Sequence, residues 1–366
     1  MPHLVYLDLL HWVGLSKARL GRPNSELYGE ALLELREGVA SGRIVIPLSF
    51  SHYIEVSQIA DAQRRAGLAL TMCELSKNVS LTAREILMFH ELRCSLAREL
   101  GVVYRVPRPL ITGYGVAHAH GKTPLPGPLE DKPGAIEHLA ADVGAFIPRL
   151  EAHTGYGWKF VPSGRSSSSI DLVREALDAH AQFRMLMGPA NKQDPELLKL
   201  GFAPSRAYEV VDRITAREAD LAATLAADPS WQRRLDDIIY ARALFWDLSE
   251  EWDRAMSDVW PRVVTYEEFG IDRLHRIMQN MPIIDVESSI RYANFRAGSR
   301  KWTKNDIHDI GFAGVAVVYC QVVATDKHLA AQLQRQGLDK KYHTVILTRP
   351  EQLTEHLRAK INGPDA

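Results

Sequence analysis

The sequence predicts an α/β protein with a central, mostly parallel sheet, interrupted by a large all-helical insert. Three observations predict it. Residues 1–70 alternate short apolar runs with segments of helical spacing. The chain after residue 305 returns to the same alternation. Between them nearly every periodic segment has helical spacing and carries helix-start signals.

In chain order, Leu4–Leu7 in "HLVYLD" reads as a short buried strand. In "NSELYGEALLELREGVASG", Leu27, Ala31, Leu32 and Leu35 share one helical face, and Gly38 or Gly42 ends the helix. "RIVIPLS" is a second strand stopped by Pro47, and "FSHYIEVSQIADAQRRAGLAL" reads as one helix. In the middle, Thr82–Glu85 and Thr265–Glu268 fit capping boxes. Asp194-Pro195 and Asp228-Pro229 each place a capping acid before a proline at the first helical position. The helix after Asp228 gathers Trp231, Leu235, Ile238, Ile239, Phe245, Trp246 and Trp252 close to one stripe. Residues 107–134 read as a long Pro/Gly-rich loop and 163–169, "SGRSSSS", as a linker or mobile tip. At the C-terminal end "DIHDIGFAGVAVVYC" reads as helix, "QVVAT" as strand, "DKHLAAQLQRQG" as helix, "YHTVILT" as strand and "PEQLTEHLRAKI" as a last helix. The predicted division is 1–100 and 300–366 as two parts of one α/β domain, with 101–299 as the helical insert.

Composition narrows the classes. With 46% hydrophobic and 24% charged residues in 366, the chain is globular rather than disordered. A formal net charge of -1 supplies no global field toward nucleic acid or membrane, so a polyanion site must be a local patch. Cys73, Cys94 and Cys320 have no paired spacing, which argues against a disulfide framework or a cysteine zinc site and fits a reducing, cytoplasmic setting. The first residues show no basic n-region or cleavage pattern, and the apolar run Phe312–Thr325 is too short to span a bilayer. No phosphate-binding glycine loop of the ATPase or dinucleotide type occurs, and no serine nucleophile elbow.

The chemistry lies with the acids. Asp8 ends the first strand and Asp326 a strand near the C-terminus. In an open parallel sheet, ligand sites form at the carboxyl ends of strands. Asp306 and Asp309 stand three apart at the start of a helix, and Ala313 and Ala316 extend that face. Glu55 lies early in the helix after the second strand. Five acids could therefore converge, and crowded carboxylates must bind a proton or a cation. A hard divalent ion with oxygen ligands is the usual resolution, and such ions promote in-line displacement at phosphorus. Asp8, Asp306 and Asp326 equally suit helix caps.

At "VYLD", "PLSFSHYIEV", "DIHDIGFAGVA" and "VVATDKHL" the chain resembles the PIN-like nuclease superfamily. The resemblance covers roughly residues 1–100 and 300–366 and leaves the helical middle aside. It implies a PIN-like three-layer sandwich and a Mg²⁺- or Mn²⁺-dependent phosphodiesterase, acting on RNA more often than DNA. Asp8, Asp309 and Asp326 would be metal ligands. Glu55 and Asp306 would be direct or water-mediated ligands or would orient the attacking water. Two acids occupy the later helix where one is usual. Gln321 stands where some relatives carry a further acid. A toxin or phage-defence setting rests on the family alone.

For nucleic acid, the best basic patch is "SSIRYANFRAGSRKWTKN", residues 288–305. Arg291, Arg296, Arg300, Lys301 and Lys304 could hold phosphates, and Trp302 could stack a base. His118 and His120 in "HAH" could bind a metal, His52 and His308 flank the acids, and Glu91 could join them from a third helix, although structural or surface roles suit each of these as well. Alternative readings are a non-catalytic scaffold whose helical insert binds a partner or a second copy, and a structure-specific DNase.

Overall fold

The computed structural model describes residues 2–121, 134–154, 156–188, 203–260, 266–297 and 301–361, together with Pro195 and Leu198. Four short parallel strands form the central sheet, in the order β2-β1-β5-β6. They are β1 (His3–Leu7), β2 (Ile44–Val45), β5 (Val322–Ala324) and β6 (Val345–Leu347). Val5 and Leu7 of β1 face Val322 and Ala324 of β5, and Val322 faces Val345 of β6. Beyond β2, Leu48 bridges in parallel to Ser80 of β3 (Val79–Leu81), which pairs antiparallel with β4 (Thr112–Tyr114). The protein is thus α/β, with a small mostly parallel sheet and a large helical portion.

Alternation along the strands places residues on two sides of the sheet. Val5, Leu7, Val322 and Ala324 enter one buried cluster. That cluster takes in α1 (Leu9–Arg19), α2 (Glu26–Ala40), α3 (Phe50–Ser57), α4 (Ala62–Ser76), α9 (Ser169–Met187) and the last helix, α19 (Pro350–Ile361). Tyr6, Val323 and Ile346 enter the other cluster. Its helices include α5 (Arg84–Leu100), α15 (Pro282–Arg296) and α16 (Lys304–Tyr319). Residues of the helical middle appear in both clusters, so this region shares the core of the sheet. Gly314 of α16 permits its close approach to α15, because a Cβ there would stand 2.9 Å from the Glu287 side chain.

Several sequence expectations give way. The helix read through 50–70 is two helices. Asp61 breaks it by accepting from the backbone N–H of Gln63 at 2.8 Å and starting α4 afresh. Thr82 does not cap α5. It is buried, and its hydroxyl bonds the Leu110 carbonyl and His118 Nε2. The loop expected over 107–134 contains β4 and the short helix α6 (Gly115–Ala119), while 122–133 lie outside the described residues. The serine run is tied down: the backbone N–H of Ser163 and the hydroxyl of Ser166 both donate to Glu175, and Ser168 caps α9.

Asp228 does accept from Ser230 N–H at 2.9 Å, but the segment after it is not one helix. It is a 3₁₀ turn (Pro229–Arg234), then α11 (Leu235–Arg242), then a π-helical turn (Ala243–Asp247), then α12 (Ser249–Val259). The changes of helical period rotate the stripe, leaving Trp231 and Phe245 exposed while Leu235, Ile239 and Trp252 are buried. Asp194 and Thr265 fall outside the described residues.

Candidate metal centre

The carboxyl edge of the sheet collects the acids. Asp8 comes directly after β1, and its backbone N–H donates to the Ala324 carbonyl at 2.9 Å, extending the β1–β5 ladder by one residue. Its carboxylate caps α1, accepting from Leu9 N–H at 2.5 Å and from the Thr325 hydroxyl at 3.3 Å. Asp326, one residue beyond Thr325, caps α17 (Lys327–Arg335) through the N–H groups of His328 and Leu329 at 2.6 and 3.2 Å. Both cap expectations and the shared-edge expectation hold together here, because an N-cap residue presents its carboxylate at the strand-to-helix corner.

Glu55, and Asp309 through it, are linked to Asp8 electrostatically. Burial, and after it the charges of Asp8 and Asp309, push the Glu55 carboxyl up to about 8. Burial raises Asp8 to about 6, with the Asp326 charge adding to it and the Leu9 and Thr325 hydrogen bonds opposing it. Four of the five sequence-predicted acids are therefore linked in a chain of pairs, Asp326 with Asp8, Asp8 with Glu55 and Glu55 with Asp309. Asp306 does not figure among the groups acting on Asp8 or Glu55. It is 3% exposed, and its Oδ2 accepts from the backbone N–H and hydroxyl of Thr303 at 2.8 and 2.7 Å. This capping box fixes the start of α16, as the alternative reading of Asp306 expected.

Three rings align the elements: His52, for which a structural role was one expectation, and Tyr6 and Phe312, which sequence reasoning passed over. Tyr6 of β1 stacks on Phe312 of α16 with centroids 5.1 Å apart and on His52 of α3 at 5.0 Å. Each ring lies on the same face of its element as an acid: Tyr6 two residues before Asp8 on a strand, His52 three before Glu55 and Phe312 three after Asp309 on helices. The stack thus ties together the three elements that carry Asp8, Glu55 and Asp309. His52 is neutral and structural. Its Nδ1 accepts from Ser49 N–H at 3.0 Å, so Nε2 donates to the Leu7 carbonyl at 2.8 Å, and burial lowers its pKa to about 4. His11 holds the other strand: its ring bonds the Thr325 carbonyl at 3.3 Å and the Tyr28 hydroxyl at 3.2 Å. A pattern of buried histidines beside strand ends, "LDLLH" and "SFSH", is the sequence signal for both.

His308 lies one residue before Asp309, with Nδ1 3.9 Å from Glu55 Oε1, too long for a hydrogen bond. Burial, with help from Lys304, lowers its pKa. His118 is bonded to Thr82 and His120 packs on Phe50 and Tyr53, so the pair serves the hairpin rather than a ligand. Glu91 is neither on the surface nor part of this cluster. It is buried, receives hydrogen bonds from the Ile283 N–H and Tyr319 hydroxyl, and is raised to about 7 chiefly by burial. Gln321 lies at the amino end of β5, where its side chain accepts from Leu4 N–H at 2.7 Å.

The basic run does not form one surface. Arg291 is 5% exposed and its guanidinium is held by Glu218 and Glu287, each at 3.1 Å, inside a network with Arg84, Arg242 and Asp247. It cannot reach phosphate. Trp302 is 6% exposed and packs on Phe295 at 4.9 Å, so it cannot stack a base. Both assignments fail for one reason: aromatic and arginine side chains next to a helix end were needed by the core. Lys304 pairs with Asp212 at 2.5 Å, Arg296 lies against the Tyr292 ring, and Lys301 is exposed. Arg300 lies outside the described residues.

The donor set at the edge consists of carboxyl oxygens, the chemistry a hard divalent cation takes. Among the described residues, however, no three of His, Cys, Asp and Glu already stand at ligating distances from a common point. Also among these residues, no helix is long and apolar enough to cross a membrane. Compared with family models, curated proteins and solved structures, the chain shows no match.

Proposed function

We propose that this protein is a metal-dependent nuclease, an RNase in preference to a DNase, with its cation held by Asp8, Glu55, Asp309 and Asp326. One observation carries the reading: at the carboxyl edge of a parallel sheet Glu55 is pushed up to about 8, first by burial and then by the charges of Asp8 and Asp309. A protein gains nothing in stability from such crowding, and a functional ion relieves it. Bound there, Mg²⁺ or Mn²⁺ supplies Lewis-acid stabilisation of the phosphoryl group and an activated water. Asp8 is oriented by the Leu9 N–H on Oδ1 and the Thr325 hydroxyl on Oδ2, and Asp326 by the His328 and Leu329 N–H groups, which both bond Oδ1. Glu55, pushed up to about 8, would hold the ion as the carboxylate, so uptake would strengthen with rising pH through the neutral range. His52, fixed neutral by its two bonds, positions α3 and takes no proton. The preference for RNA, and a PIN-like layering, come from the sequence resemblance.

The test is incubation with labelled RNA and single-stranded DNA, with and without Mn²⁺. Cleavage that depends on Mn²⁺ and is lost in Asp8→Asn and Asp326→Asn supports the proposal, whereas cleavage unchanged in both variants ends it. A second reading, a non-catalytic scaffold, is favoured by the absence of a ready three-ligand group among the described residues. Calorimetry showing no Mn²⁺ uptake at millimolar concentration, with the fold intact, would select it.

A further inference from the structure

The face of α1 that leaves Asp8 opens into a cavity of about 760 Å³. Its walls are the C-terminal half of α1, the turn after it, the start of α4 and the ring of Tyr156. Three cations line it: Lys17, Arg22 and Arg64, all exposed. Each lies outside the ion pairs found among the described residues, unlike Arg19 next door, which is bound to Glu74 at 2.9 Å. The one acid in the lining, Asp61, is turned to its own backbone, accepting from Gln63 and Arg64 N–H at 2.8 and 3.1 Å. The cavity is therefore electropositive although the chain as a whole carries a formal charge of -1. Val13 and Leu20 add apolar surface to its lining.

The cavity and the acid cluster share a helix. Asp8 caps α1, and Leu9, Val13 and Lys17 succeed one another at intervals of four on one face. At roughly 1.5 Å per residue, Lys17 stands about 14 Å along the axis from Asp8. That is the reach of a few nucleotides. Guanidinium and ammonium groups outside the ion pairs of the described residues, beside an exposed tyrosine, are the chemistry that holds a single strand, phosphates on the cations and a base on the ring. The 288–305 run, which the sequence favoured, offers instead a paired Lys304 and buried Arg291 and Trp302.

We propose that this cavity, and not the 288–305 run, seats the phosphodiester backbone of single-stranded nucleic acid and leads it along α1 to the carboxyl edge. The proposal rests on the nuclease reading for its ligand class but not on the metal. The experiment is fluorescence anisotropy of a labelled single-stranded RNA with the full chain in EDTA, over a series of salt concentrations. Replacing Lys17, Arg22 and Arg64 together by alanine is expected to weaken binding by about tenfold or more at low salt and to flatten the salt dependence by about 0.7 in log–log slope per lost contact. Lys17→Glu alone, an exposed helix position, weakens it in the same direction should the triple variant fail to fold. Lys301→Ala leaves binding unchanged. No binding by the parent chain, or equal affinity and slope in the triple variant with an intact circular dichroism spectrum, overturns the proposal. Mn²⁺ calorimetry on the same samples separates the two ideas: the triple variant retains whatever ion uptake the parent has, while Asp309→Asn loses uptake and keeps RNA affinity.

Discussion

The ring of Phe312 stacks on the ring of Tyr6 with an interplanar angle of 18°, joining a helix near the C-terminus to the first strand. Asp309 lies one turn from the first ring and Asp8 two residues from the second, so the stack sets the separation of two carboxyls. Phe312→Leu keeps an apolar side chain and removes the ring contact, worth about 0.5–1.5 kcal/mol. The expected result is a folded protein whose Mn²⁺ affinity drops severalfold by calorimetry. Affinity equal to the parent would show that the acids are placed by other contacts.

Asp306 and Asp309 are expected to part company. Asp306→Asn weakens the Thr303 capping box, costing about 1 kcal/mol in urea unfolding and leaving Mn²⁺ uptake intact. Asp309→Asn removes a charge that raises Glu55, so the Glu55 titration moves down while ion uptake falls. Carboxyl NMR of the two variants reads both effects. Loss of ion binding in the Asp306 variant would return that residue to the cluster.

Without metal, stability should fall as pH rises. Glu55 goes from 4.5 unfolded to about 8 folded, and Asp8 from 3.8 to about 6. The folded state holds more protons than the unfolded state between those limits. The stability these groups contribute is complete below about pH 4 and is lost as pH passes through 6 and then 8. In EDTA, Glu55→Gln should cancel the upper part of this loss and exceed the parent in stability at pH 8 by up to a few kcal/mol. Added Mn²⁺ should reverse the order, because only the parent gains the binding energy of the ion. Parallel pH profiles for the parent and Glu55→Gln in EDTA would show that neither burial nor neighbouring charge raises Glu55.

What the sequence disclosed depends on how local each signal is. Asp8 and Asp326 were readable because a strand-end acid needs only its neighbours to be recognised. Their pairing was readable because parallel strands put all carboxyl ends on one edge. Glu55 and Asp309 needed the further step that α3 and α16 flank that edge, a packing relation expressed only in Tyr6, His52 and Phe312, which are ordinary apolar and histidine positions in one dimension. Asp61 was missed because an acid within a helical stripe looks like a solvated face until its backbone geometry is known. The basic run misleads because cations close in sequence need not be close on the surface. Arg291 shares a helix face with Glu287 and turns inward, while the cations of the α1–α4 cavity are scattered over 17–64 and join only in three dimensions.

Arg291 gives the sharpest contrast between a buried and an exposed cation. Its guanidinium joins Glu218, which is 0% exposed, to Glu287, which is 1% exposed, and Arg84 and Arg242 complete the charge balance. Such a network is not a large net source of stability, since desolvation opposes the Coulomb attraction. Removing one member is another matter, because it leaves a carboxylate buried without its counter-charge. Arg291→Ala is expected to cost about 3–5 kcal/mol in urea unfolding. Arg291→Met, which fills the volume without the charge, should recover little of this while both glutamates remain. Replacing Arg291 and Glu287 together by apolar residues should recover more, since the orphaned charge is then gone. Lys301→Ala, in the same basic run but exposed, should stay within about 0.5 kcal/mol of the parent. If Arg291→Ala unfolds like the parent yet loses RNA affinity in anisotropy, the side chain reaches solvent after all, and the phosphate role returns to it.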